Sequence, residues 1–276
     1  MIGSWLQRWR NRHRLAPLSS TQASLENWYT SAVGTMLLEE ELKTLEPMLS
    51  NLFGYHLLQL SINPSAALYD GARILHCINA ASSAKPQAGV ALHCEYDQLP
   101  LEDESVDVTV LHHALEFSPN PHQVLKEACR VTIPRGHIII IGFNPFSLHG
   151  LVKPFARIFS AAPIWRYKTL GSSRVADWLT FLECSLIKQA TSFVNWPVNQ
   201  SAYLAKTQRL ARALSKLPLP VGNFYCLVAR KDLMCMTPLR PHWQMSFGGL
   251  SKPAVAARAA ARLSLVKKIS NSGGNE

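Results

Sequence analysis

Residues 99–143 read LPLEDESVDVTVLHHALEFSPNPHQVLKEACRVTIPRGHIIIIGF, and this stretch decides the fold class. Val106–His112 is a short apolar run of strand length. Pro121 to Val131 has helical spacing, with Val124, Leu125, Ala128 and Val131 on one face. Pro134 and Gly136 then break the helix, and His137–Phe143 is a second apolar run. Both runs are almost continuously apolar rather than alternating, the pattern of strands covered on both faces of a parallel sheet. Strand, helix and strand in this order make a βαβ unit, whose crossover is right-handed.

Further strand-length segments lie upstream: HLLQLSI (56–62), ARILHCI (72–78) and GVALHCE (89–95). Ser20 to Leu52 reads as helix, with Trp28, Met36, Leu37, Leu42, Leu45 and Leu49 forming an apolar stripe. Downstream, Ser172 or Ser173 is placed to cap a helix through Leu182. LIKQATSF (186–193) reads as a strand, Tyr203 to Leu214 as a basic amphipathic helix, and NFYCLVARK (223–231) as a last strand. Residues 252–268 have an Ala/Arg-rich helical composition, and Ser270 to Glu276 read as disordered. The organisation expected is a basic segment at 1–19, one α/β domain at 20–249 and a basic tail at 250–276.

The chain has 276 residues, enough to bury a core without disulfides or metal. Its 28 Lys and Arg against 18 Asp and Glu give a net charge of +10. Residues 1–15 carry +4 through Arg8, Arg10, Arg12 and Arg14, and residues 250–276 carry another +4. The body between them is nearly neutral, which excludes a uniformly basic nucleic-acid binder and leaves polyanion contact to the ends. No apolar run approaches the ~20 residues that cross a bilayer, so no transmembrane segment is expected. The first residues lack the apolar stretch of a signal peptide, and a cytoplasmic protein is expected. No cysteine pair forms C-x-x-C, and the thiols read as reduced and buried.

The ordered set Leu99-Pro100, Val106-Asp107-Val108, His113 to Glu116, Lys126-Glu127 with Arg130-Val131, and Pro134-Arg135-Gly136 resembles the class I S-adenosylmethionine-dependent methyltransferase domain, type 11. The resemblance extends over about residues 54–150 and is closer to a bacterial group opening G-Y-H-L-L-Q-L (54–60) and ending G-F-N-P-F-S-L (142–148). It implies a Rossmann-like, mostly parallel seven-stranded sheet with helices on both faces. Residues 223–231 would then lie antiparallel between 137–143 and 186–193. S-adenosylmethionine is the implied cofactor, and the methyl acceptor is unknown.

The same resemblance implies a site at the carboxyl ends of the strands. The family's glycine-rich first turn corresponds to Gln59, Leu60, Ser61, Ile62, Asn63 and Pro64, without a glycine, so a remodelled turn is expected. Gln59, Ser61 and Asn63 are its polar residues. Asn79 or His76 stands where an acid would hold the ribose, and Glu95, followed by Tyr96, stands where the adenine amine is met. His113 is the candidate base, since an imidazole titrates near neutrality. His112 and His113 are adjacent in a chain read as extended, so they are expected on opposite sides and not as a metal pair. Asn144 is read as a loop-capping amide, and Asp107 as a turn cap after Ser105. No G-x-S-x-G, H-E-x-x-H or Walker loop is present. Three function classes stay open: a methyltransferase, a non-catalytic methyltransferase-like scaffold or binding protein, and a polyanion binder acting through its basic ends.

Overall fold

Two helices, α1 (Leu18–Tyr29) and α2 (Ala32–Leu49), precede the sheet. The break between them corrects the single helix expected over Ser20 to Leu52. Thr30 ends the first and Ser31 caps the second, its Oγ accepting from Gly34 N at 3.2 Å. Gly34 is needed because a Cβ there would lie 2.5 Å from the Trp28 carbonyl oxygen. The computed structural model describes residues 17–82, 89–159, 162–192 and 222–232. All of them belong to the first of two units, Met1–Met234; the second is Cys235–Glu276. Both basic ends and the helix expected at 203–214 lie outside the described residues, apart from positions 17–19.

The strands are β1 (Phe53–Ser61), β2 (Arg73–Ala81), β3 (Leu92–His93), β4 (Val106–His112), β5 (Thr132–Phe143), β6 (Cys184–Ser192) and β7 (Phe224–Lys231). Helices α3 (Ala114–Phe117) and α4 (Pro121–Val131) join β4 to β5. Helix α5 (Leu148–Phe159), the 3₁₀ turn Pro163–Trp165 and α6 (Ser172–Phe181) join β5 to β6. The sheet order is β3-β2-β1-β4-β5-β7-β6. β1 to β5 run parallel, and β7 is antiparallel to both β5 and β6, as the resemblance implied. Val108 to His112 and Ile138 to Phe143 are buried without alternation, so the centre of the sheet is covered on both faces.

Three local expectations change. β5 begins at Thr132 rather than His137. Arg135 takes a positive φ of 67°, and the register with β4 shifts between Val106 and Val108, so Pro134 and Gly136 mark a bulge within the strand. Helix α6 is preceded by Gly171 and has no side-chain cap, so neither Ser172 nor Ser173 caps it. Asp107 does not cap the turn at Ser105; its Oδ2 accepts from Tyr55 N and His56 N, each at 2.9 Å, and ties the start of β1 to β4.

The β1–β2 crossover, residues 62–72, holds turns and no helix, and Phe53, Tyr55 and Leu75 in the first halves of β1 and β2 are exposed. The chain order reverses between β1 and β4, and the carboxyl ends of these two strands are the place where such sheets bind ligands.

Candidate functional site

At that switch point β1 ends in Ser61 and β4 in His112, paired in register. The next residue, His113, adopts the left-handed conformation (φ 52°, ψ 12°) and starts α3. Alternation therefore ends at His112, and the two imidazoles turn to one place instead of opposite sides. They meet Glu41 from the middle of α2. His112 Nε2 lies 3.0 Å from Glu41 Oε2, and His113 Nε2 lies 2.8 Å from Glu41 Oε1. The other ring nitrogens are held too: His112 Nδ1 by Ser61 Oγ at 2.7 Å, and His113 Nδ1 by Glu116 Oε2 at 2.8 Å. Phe143 stacks on His113 with centroids 4.0 Å apart.

The cluster is sealed: Glu41, His112 and His113 are 0 % exposed and Glu116 is 1 % exposed. Burial alone would raise the Glu41 carboxyl, but the facing imidazoles of His113 and His112 reverse this and hold it at about 2. Burial would lower His113, yet the carboxylates of Glu116 and Glu41 raise it to about 9. His112 is lowered, burial outweighing the single carboxylate it faces. Burial raises Glu116, and His113 opposes it. The two facing acids thus favour the protonated form of His113, and burial favours the neutral form of His112.

A family model for a methyltransferase domain matches residues 56–140, the span that holds β1 to β5 and the paired histidines. Residues 56–140 are thus similar to the type 11 methyltransferase domain, and the sheet is that of the Rossmann-like methyltransferases. The Escherichia coli (strain K12) protein YafS, itself uncharacterized, is 28% identical over 220 residues, which are 80% of this chain and 86% of that one. Two solved structures share the fold. A chain from a complex between the Haloferax volcanii Trm112 methyltransferase activator and a proposed methyltransferase superimposes with a TM-score of 0.54, at 14% identity over 75% of this chain and 97% of that chain. An S-adenosylmethionine-dependent methyltransferase of Thermotoga maritima gives 0.52, at 16% identity over 83% of this chain and 96% of that chain.

Most residues singled out from sequence, His76 excepted, gather at the carboxyl edge, but most of these spend their polar atoms on the chain itself. Gln59 donates from Nε2 to Ala66 O at 2.8 Å and accepts at Oε1 from Leu68 N at 2.9 Å, which braces the remodelled turn. Ser61 Oγ, besides His112, accepts from Asn63 N at 2.9 Å. The Tyr96 hydroxyl lies 2.8 Å from Ser61 O and 2.9 Å from Ala80 O. Asn79 donates from Nδ2 to Pro64 O, while its buried Oδ1 has no partner among the described residues. Glu95 stands apart: it is exposed, and its Oε2 accepts from Ser82 Oγ at 3.0 Å. His76 is also exposed, its Nδ1 3.2 Å from that of His56. Asn144 caps its loop, Oδ1 accepting from Phe146 N at 3.1 Å.

The stretches Leu99-Pro100 and Glu127 to Arg130 form one clamp. Arg130 donates to Leu99 O and Leu101 O at 2.9 Å each and pairs with Glu127 at 2.8 Å, while Glu127 Oε2 accepts from Leu99 N at 3.1 Å. Sequence reasoning missed Glu41 altogether. Its signal was present, since it falls four residues after Leu37 and four before Leu45, an acid in phase with an apolar stripe.

Proposed function

We propose that the chain is an S-adenosylmethionine-dependent methyltransferase acting on an unidentified acceptor, with Asn79 and Glu95 as its cofactor contacts. The observation that carries this reading is the parallel sheet reversing between β1 and β4, with both residues at its carboxyl edge. The fit to the cofactor is uneven along that edge. Asn79 Oδ1 is a buried acceptor without a partner among the described residues, and suits a ribose hydroxyl. Glu95 offers an exposed carboxylate to an amine such as that of adenine. Gln59, Ser61, Asn63 and Tyr96 support the turn by hydrogen bonds within the chain. The cofactor supplies a methyl group on a sulfonium, so the protein's task is mainly to position the acceptor. His113 serves as a positioning residue, its ring fixed by Glu41 and Glu116.

Titration calorimetry of the full chain with S-adenosylmethionine and S-adenosylhomocysteine tests the reading. A dissociation constant of about 100 μM or tighter is expected, or roughly −5.5 kcal/mol. Glu95→Ala, an exposed change that spares the core, is expected to weaken it by roughly 1–3 kcal/mol. The second reading is a non-catalytic methyltransferase-like binding protein. It is favoured by the sealed cluster at the switch point, where Glu41 and the hydrogen bonds of Gln59 and Ser61 fill the space beside β1 and β4. No heat of binding at millimolar cofactor would select it.

A further inference from the structure

We propose that Glu41, His112 and His113 bind one divalent transition-metal ion, of the Zn²⁺ or Co²⁺ class, beneath α2 at the carboxyl ends of β1 and β4. The three side chains offer ligand atoms that all lie within 4.8 Å of one another. Two imidazole nitrogens and a carboxylate are a three-ligand set for a tetrahedral ion, whose fourth position falls to water. The imidazoles select a borderline transition metal over Mg²⁺ or Ca²⁺, which take oxygen shells.

The surroundings carry the argument beyond that count. Both histidines aim Nε2 at the same carboxylate, one at each oxygen, and each has its Nδ1 fixed by a separate outer group, Ser61 Oγ and the Glu116 carboxylate. Ring orientation from the far nitrogen is how metal-bound histidines are held, and Glu116 on His113 is the carboxylate–histidine form of it. The second imidazole reaches Glu41 only because His113, a residue with a Cβ, takes the left-handed conformation.

An independent observation points to a missing occupant. The hydroxyls of Tyr29 and Tyr225 are buried and have no partner among the described residues. Tyr29 lies close enough to Glu41 and Glu116 to feel their charge, and its ring is 5.7 Å from that of His112. Tyr225 and Glu116 converge on Gly142: a Cβ there would lie 2.5 Å from the Tyr225 oxygen and 3.1 Å from Glu116 Oε1. Hydrogen bonds between imidazole and carboxylate leave these hydroxyls unsatisfied, whereas a hydrated metal ion gives them a water to bond. A divalent ion displaces the proton that His113 shares with its two acids and takes over the balance of the two buried carboxyl groups. This site does not depend on the methyl-transfer reading, because metal binding is measured without cofactor.

The full chain, stripped by chelator and checked for native circular dichroism, is titrated with Co²⁺ and its visible d–d bands recorded. One Co²⁺ per chain, displaced by Zn²⁺, is expected. Glu41→Gln and His112→Gln are expected to abolish the bands, and Glu116→Gln to weaken binding roughly 10–100-fold. The exposed His56–His76 pair is the competing surface site, so His56→Ala is expected to leave the bands intact. Absent bands at millimolar Co²⁺ in the folded chain overturn the proposal, as do bands lost in His56→Ala and kept in Glu41→Gln. Should the core variants not fold, X-ray absorption of the zinc-loaded wild type decides: imidazole plus carboxylate is expected, and sulfur or all-oxygen coordination overturns it.

Discussion

Glu41 stands in register with Leu37, Leu45 and Leu49 on the buried side of α2, where a carboxylate costs several kcal/mol unless it is paired. It is paired twice, with His112 and His113, and the two imidazoles depend on it in return. Removing one member of a buried charged set leaves the others without a partner. Glu41→Ala is therefore expected to lower stability by about 3–5 kcal/mol in urea denaturation, while Glu40→Ala, at an i,i+3 surface pair with Lys43, is expected to cost about 0.5 kcal/mol or less. Equal effects from the two variants would show that the buried pairing is not what holds α2 in place. What faces His113 could not be read from its own position in the sequence. The two acids that raise it to about 9, against the opposing effect of burial, come from α2 and from the first turn of α3.

Between elements, the clamp of Arg130 and Glu127 fastens α4 to the turn that leads into β4. Arg130 hydrogen bonds hold the Glu127 carboxyl below its usual range, against the opposing effect of partial burial. A carboxyl depressed in the folded state adds stability above its unfolded pKa of about 4.3 and loses it as the pH falls through the folded value. Wild type is expected to exceed Glu127→Gln by about 1 kcal/mol from pH 5 to 8, with the gap closing as the pH drops below about 4. Urea midpoints measured across that range check it, and a gap that persists at pH 2 would mean the pair acts through packing alone. The acid–Arg pattern in residues 99–131 was legible because such a clamp is local: its partners lie on one loop and one helix.

For the whole molecule, the uneven charge carries a prediction of its own. Deleting residues 1–15 and 250–276 removes about eight positive charges from a chain of net +10. Retention on heparin is expected to fall sharply, and the remainder to vary little with salt, because released counterions scale with the cations in contact. Retention unchanged by the deletions would assign polyanion binding to the nearly neutral body instead.

Sequence by itself determined the sheet. Continuous apolar runs and the helical spacing of Pro121 to Val131 led to seven strands, and the resemblance to the type 11 methyltransferase domain implied β7 antiparallel between β5 and β6. These signals are local or ordered along the chain, so they survive without coordinates. The candidate site was only half legible: the resemblance pointed to the carboxyl edge of the strands, whereas the partners of the side chains there could not be read. Tertiary structure alone decided that Glu41, some seventy residues before the histidines, closes over them. It also decided that Gln59 and Ser61 are satisfied from within. A side chain's charge state and free lone pairs are set by whatever packs against it. Here that neighbour is a helix whose apolar stripe gives away that it docks, but not where.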